Sequence, residues 1–151
     1  WVYAAGHTTY GHVINRGPIT TDKQAAFELA IGQGYAKGVF AVQRDPTNPC
    51  PTIAAGAGNL PLNQWIHLAG TYDGEVLRYY VDGRLEKETR LCDSPSPIFD
   101  IPDSKMVIGN MSRIPFTGWY DMFFNGRVDE VRVYRRALND EEVRQLSEVG
   151  K

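Results

Sequence analysis

Cysteine is almost absent from this chain: Cys50 and Cys92 are the only two in 151 residues. Neither lies in a CxxC pair and no histidine falls at zinc-finger spacing from either, which excludes a zinc ribbon or finger. Histidine is as sparse, with His7, His12 and His67 scattered. No Ser or Cys has a recognisable partner set for nucleophilic catalysis. Excess positive charge is also missing: 16 Lys and Arg face 18 Asp and Glu for a net charge of -2. Such a chain carries no basic field for nucleic acid. No apolar run approaches the roughly 18 residues that span a bilayer, so no membrane partner is expected. Neither a signal peptide nor a transit peptide is recognisable. The opening on Trp1 suggests a domain excised or processed from a longer chain.

What is present is glycine, proline and aromatic side chains between short alternating stretches. That composition suits many strands joined by tight turns. Without repeats, low-complexity tracts or linkers, residues 1–151 read as one domain. Trp1 to Ala5 reads as a strand with Gly11 to Asn15 as its hairpin partner. Ala25 to Ile31 puts Phe27, Leu29 and Ile31 on one face, the period of two expected of a half-buried strand. Gly38 to Gln43 answers it, and Thr52 to Ala57 forms a weaker strand. A meander follows, in which two Asp-Gly pairs, Asp73-Gly74 and Asp82-Gly83, each suit a type I′ turn. Arg84, Glu86, Glu88 and Arg90 share a solvated face on its third strand. Met106 to Gly109 and Arg127 to Tyr134 supply the last two strands. One helix is terminal: Asn139 and Glu142 form an N-x-x-E capping box, Leu138 and Val143 a hydrophobic staple. Val143 and Leu146 give it a narrow docking face. About ten strands and one helix make an all-β sandwich.

The order NQWIHLAGTYDG, LRYYVDGRL, MVIGN and FNGRVDEVRVYRRALNDEEV resembles the laminin-G-like domains of the concanavalin A-like lectin/glucanase superfamily. The match covers nearly all of Leu60 to Leu146. The resemblance implies an antiparallel two-sheet jelly roll with a short C-terminal helix, used as a binding module in extracellular proteins or beside carbohydrate-active enzymes. It also implies one or two strands ahead of Trp1, next to the last strand. Without them Arg127 to Tyr134 becomes an exposed edge through which a second copy could pair. Many relatives hold calcium near those strands, and Asp129 is the position that matches. The competing reading of Asp129 is a buried, hydrogen-bonded carboxylate.

The E-x-D-x-x-E pattern of the superfamily's hydrolases is missing. Asp129-Glu130 are adjacent and on a strand would point to opposite faces, whereas Glu86 and Glu88 share a face but are flanked by Arg84 and Arg90. Gly32-Gln33-Gly34 is a hairpin turn and not a dinucleotide loop, since a strand follows it. Asn110 to Phe124 joins aromatic rings to polar groups. Trp119 and Tyr120 can stack on sugar while Asn110 and Arg113 bind hydroxyls; the alternative is that the rings pin the loop to the core. Cys50 and Cys92 form either a disulfide, favouring an oxidising compartment, or two thiols. The expected function is non-catalytic recognition of carbohydrate, or of an extracellular protein, outside the cytoplasm. A hydrolase or lyase of the same superfamily and a structural module with no small ligand are the alternatives.

Overall fold

The computed structural model describes residues 1–6, 10–17, 26–32, 37–42, 53–55, 60–90, 96–98, 102–110 and 123–149. Its strands are β1 (Val2–Ala4), β2 (Tyr10–Arg16), β3 (Phe27–Gly32), β4 (Lys37–Val42), β5 (Ile53–Ala55), β6 (Trp65–Ile66), β7 (Leu68–Tyr72), β8 (Val76–Val81), β9 (Arg84–Arg90), β10 (Met106–Ile108) and β11 (Gly126–Val128); one helix, α1 (Asp140–Val149), closes the described chain. One layer is the antiparallel sheet β10-β2-β3-β4-β5. The opposite layer holds β11-β1-β6 and β7-β8-β9, with only His67 between β6 and β7.

Alternation along the strands builds the core. Phe27, Leu29 and Ile31 of β3 pack with Phe40 and Val42 of β4 against Leu68, Leu77 and Tyr79 of the facing layer. Each such side chain contributes about 1.5–3 kcal/mol when fully withdrawn from water. Gly70 lets the layers close: a Cβ there would stand 2.3 Å from Phe40 ring atoms. On the outer side of β7-β8-β9, α1 lays Val143 and Leu146 on Tyr80 beside Leu138. The Tyr80 hydroxyl donates to Asp140 Oδ1 at 2.8 Å. The capping box is complete: Glu142 N–H donates to Asn139 Oδ1 and Asn139 N–H to Glu142 Oε2, both at 2.9 Å.

Four expectations are corrected. β1 is not the hairpin partner of β2: it lies between β6 and β11, while β2 pairs with β3 and β10. Its buried residues Val2 and Ala4 meet the apolar side of distant strands, and those contacts outweigh closeness in sequence. The Asp82-Gly83 turn has positive φ at both residues, 47° and 76°, as type I′ requires. The earlier turn instead centres on Gly74-Glu75, with Gly74 alone at positive φ. There the Asp73 carboxylate accepts the Glu75 and Val76 amides and the Arg78 guanidinium, which fixes Asp73 outside the turn's centre. The strand expected from Arg127 to Tyr134 stops at Val128, because Glu130 takes a left-handed φ of 49°. Consequently Asp129 and Glu130 are exposed, not placed on a buried strand.

Candidate functional site

On the face of β11-β1-β6 turned from the core, the register sets three side chains in a row. Tyr3 pairs with Arg127 on one side and Trp65 on the other, just as the adjacent row Val128, Val2 and Ile66 faces inward. The Arg127 guanidinium lies over the Tyr3 ring, 5.4 Å from its centroid, within the range of a cation–π contact. Trp65 meets Tyr3 edge-on, with centroids 5.8 Å apart and planes at 61°. These contacts tie the three side chains to one another along the outer face. Even so, Trp65 remains 42% exposed, unusual for so large an apolar group.

Amides flank the row at the end of β1. Asn63 N–H donates to the Ala4 carbonyl at 2.8 Å, and Ala5 N–H donates to the Asn125 carbonyl at 2.9 Å. The Asn125 side chain lies against Gly6, where a Cβ would come within 2.8 Å of Nδ2. Asn63, Gln64 and Asn125 are all exposed. An aromatic surface bordered by amides and a guanidinium can hold a ligand with both apolar C–H faces and hydroxyl groups.

Of the residues expected to bind, Trp119, Tyr120 and Arg113 lie outside the described residues, as do Cys50 and Cys92. Asn110 is half-buried, and its carbonyl accepts the buried Asn15 side-chain amide at 2.6 Å. Asp129 is exposed and its Oδ1 accepts the Glu130 N–H at 2.8 Å. It brings one carboxylate, whereas calcium takes six to eight oxygens. Among the described residues no group of three His, Cys, Asp or Glu side chains could hold a metal. Glu88 is engaged by Arg78 at 2.8 Å within a surface network that also includes Asp73.

Sequence reasoning missed Tyr3, Trp65 and Arg127 as a group. The alternations Val2-Tyr3-Ala4 and Trp65-Ile66 do show that Tyr3 and Trp65 point outward. Their juxtaposition depends on the pairing of three strands far apart in the chain. His67 is buried against Trp1, with ring centroids 5.5 Å apart.

A laminin-G-type family model, described as the concanavalin A-like lectin/glucanases superfamily, matches residues 1–144. The chain belongs to this superfamily. No curated protein matches the sequence. Among solved structures the fold is similar to a Bacteroides ovatus protein provisionally named as carbohydrate-binding, at 21% identity and a TM-score of 0.69. That similarity covers 95% of this chain and 38% of the other. An S-layer domain-containing protein of Clostridium thermocellum aligns over 96% of this chain and 66% of its own, with 19% identity and a TM-score of 0.47. The chain thus spans about two fifths of the first of these structures. Antiparallel sheets with one short helix are the sandwich expected of the superfamily.

Proposed function

We propose that this lectin-like sandwich is a non-catalytic module that recognises carbohydrate outside the cytoplasm. The observation that carries the reading is the outward-facing row Arg127, Tyr3 and Trp65, its two outer members exposed and Tyr3 half-buried between them, with its flanking amides. Pyranose rings have apolar faces that stack on aromatics, and their hydroxyls need amide or guanidinium partners. Two facts lend support: membership of a superfamily that contains lectins, and the provisional name of the Bacteroides ovatus protein. Among the described residues no helix is long and apolar enough to cross a membrane. The segment containing Trp119, Tyr120 and Arg113, with Asn110, is a second binding candidate.

The test is a glycan-array screen of the parent chain and Trp65→Ala, with thermal melts of both. By analogy with base–aromatic stacking, one ring contributes about 1–3 kcal/mol. Its loss should weaken binding roughly five- to a hundred-fold, while the melt stays near the parent's because Trp65 is not core. If Trp65→Ala binds as the parent does and Trp119→Ala does not, the site belongs to the second candidate. A parent chain that binds no glycan on the array refutes the carbohydrate reading.

A further inference from the structure

The row on β11-β1-β6 carries one formal charge, and the state of that charge bears on which sugars it suits. Among the described residues, Arg78, Arg90, Arg132, Arg136 and Arg144 are each held by a carboxylate at 2.6–2.8 Å. Arg127 is exposed and has no carboxylate; its contact is the Tyr3 ring, 5.4 Å from guanidinium carbon to ring centroid. Arg84 and Arg135 also lack a carboxylate among the described residues, but no ring lies beneath either. Arg127 is thus the arginine that is both oriented and uncompensated.

That arrangement readies the guanidinium for an oxyanion. A cation–π contact uses its flat face and leaves the N–H fork in the guanidinium plane free. A sugar hydroxyl meets the fork with one oxygen, whereas a carboxylate or sulfate meets it with two and brings a full charge. Stacking on Tyr3 has already fixed the fork's orientation, so less freedom is lost when those bonds form. The flanking Asn63, Gln64 and Asn125 are uncharged, so the guanidinium alone would compensate an anion in the row.

Register sets how that charge meets a glycan. Arg127 and Trp65 stand one strand spacing to either side of Tyr3, so their Cα atoms are about 9–10 Å apart. A unit stacked on Trp65 and an oxyanion on Arg127 therefore belong to neighbouring sugars of a chain that crosses the strands. Along the strand, the next outward residue after Arg127 is Asp129, exposed and opposite Trp1, whose carbonyl accepts its N–H at 2.9 Å. Two residues of strand place it about 6.6–6.8 Å away, where its carboxylate opposes a second anion.

We propose that the row selects an acidic glycan, in which an uncharged sugar stacks on Trp65 while its neighbour sets a carboxylate or sulfate on Arg127. This narrows the carbohydrate reading and rests on it. One cation with Asp129 beside it suits a single anionic sugar per site and not an unbroken run of them.

The experiment repeats the glycan array in chelator, so that no divalent cation bridges protein and glycan. Each uronate or sulfated member stands beside its carboxyl-reduced or desulfated counterpart. The set includes hexasaccharides of hyaluronan and κ-carrageenan, in which charged and uncharged sugars alternate, and tetragalacturonate, charged on every unit. An acidic member should bind, and removing its charge should weaken binding about ten-fold. Arg127→Gln should weaken the acidic form by the same factor and leave the uncharged counterpart unchanged, with a melt near the parent's. Arg127→Lys should recover only part, because an ammonium lacks the planar fork. Trp65→Ala should weaken both forms alike. Loss on carboxyl reduction assigns the oxyanion to a carboxylate, and loss on desulfation to a sulfate. Equal binding of charged and uncharged forms, or an Arg127→Gln variant that weakens both alike, would overturn the proposal and leave the carbohydrate reading standing. Tetragalacturonate bound more tightly than every alternating glycan would overturn it too, since Asp129 should oppose such a chain. A parent chain that binds no member refutes both readings.

Discussion

Replacing Gly70 by alanine puts a methyl group where the Phe40 ring already is. The new Cβ would stand 2.3, 2.3 and 2.6 Å from three ring atoms, whereas carbons in contact settle about 3.5–4.0 Å apart. The ring must therefore retreat by more than about 1 Å. It has little freedom, because Phe40 is buried and its strand is paired on both sides, with Leu29 and with Ala54. Overpacking of this kind costs about 1–3 kcal/mol, and the severity of the overlap points to the upper end. Against it, alanine restricts the unfolded chain and returns about 0.4–1 kcal/mol. The net expectation is a loss of about 2 kcal/mol, or about 4–8 °C in melting temperature for a domain of this length. Urea unfolding followed by far-ultraviolet circular dichroism measures it. Phe40→Leu should relieve the overlap, so the double variant should recover about 1–2 kcal/mol relative to additive losses. If Gly70→Ala melts within about 1 °C of the parent, or the two substitutions add, then the layers do not close on this glycine and the packing argument fails.

Asn139→Ala should destabilise the chain by about 1 kcal/mol through loss of the cap, read as a lower urea midpoint with an unchanged slope. The Arg136 guanidinium and the Asn139 N–H hold the Glu142 carboxyl at about 2. The stabilisation from that group is therefore complete above about pH 4.5 and lost as pH falls towards 2; Glu142→Gln should flatten this part of the profile. Burial, and then the Trp1 ammonium, lower the His67 imidazole from 6.5 to about 4. The unfolded chain takes up this proton first, so stability should fall between about pH 6.5 and 4 by about 2 kcal/mol, after discounting for water that still reaches the ring. A His67→Gln variant that keeps the same slope over that interval would show that another group is responsible.

How far the fold could be read ahead depended on how local its causes are. The meander from Leu68 to Arg90 and the helix cap were legible because a turn or a capping box acts within a few residues. Asp82-Gly83 behaves as its type demands; Asp73-Gly74 does not, because Arg78, on the next strand, captures the Asp73 carboxylate. The partners of β1 were misread for the opposite reason. Val2 and Ala4 announce an inward face, but the sequence does not say which distant apolar face meets it. The break after Val128 did leave a trace: Val131 follows Val128 by three positions, where the alternation of a strand has two. That odd interval spans Glu130, whose left-handed φ ends the strand, and reading Arg127 to Tyr134 as one uniform strand concealed it.

The candidate site shows the same division. Each outward-facing residue of the aromatic row could be inferred from its own strand. The row itself exists only through register, in which Tyr3 meets Trp65 and Arg127 while Val2 meets Ile66 and Val128. A one-residue slip would bury Tyr3 and expose Val2. The hydrophobic demand of the inward row therefore fixes the alignment of the outward one. Binding residues of this kind can be substituted without loosening their spacing, because the core sets it. It follows that a substitution at Val2 or Ile66 should disturb a ligand contact at Trp65 only when it removes the inward row's hydrophobic demand and so frees the register, since neither side chain reaches the surface. A conservative change such as Ile66→Val, costing about 0.5–1.5 kcal/mol, should weaken the fold while leaving the affinity of the folded fraction unchanged. A polar replacement such as Ile66→Asn should lower both.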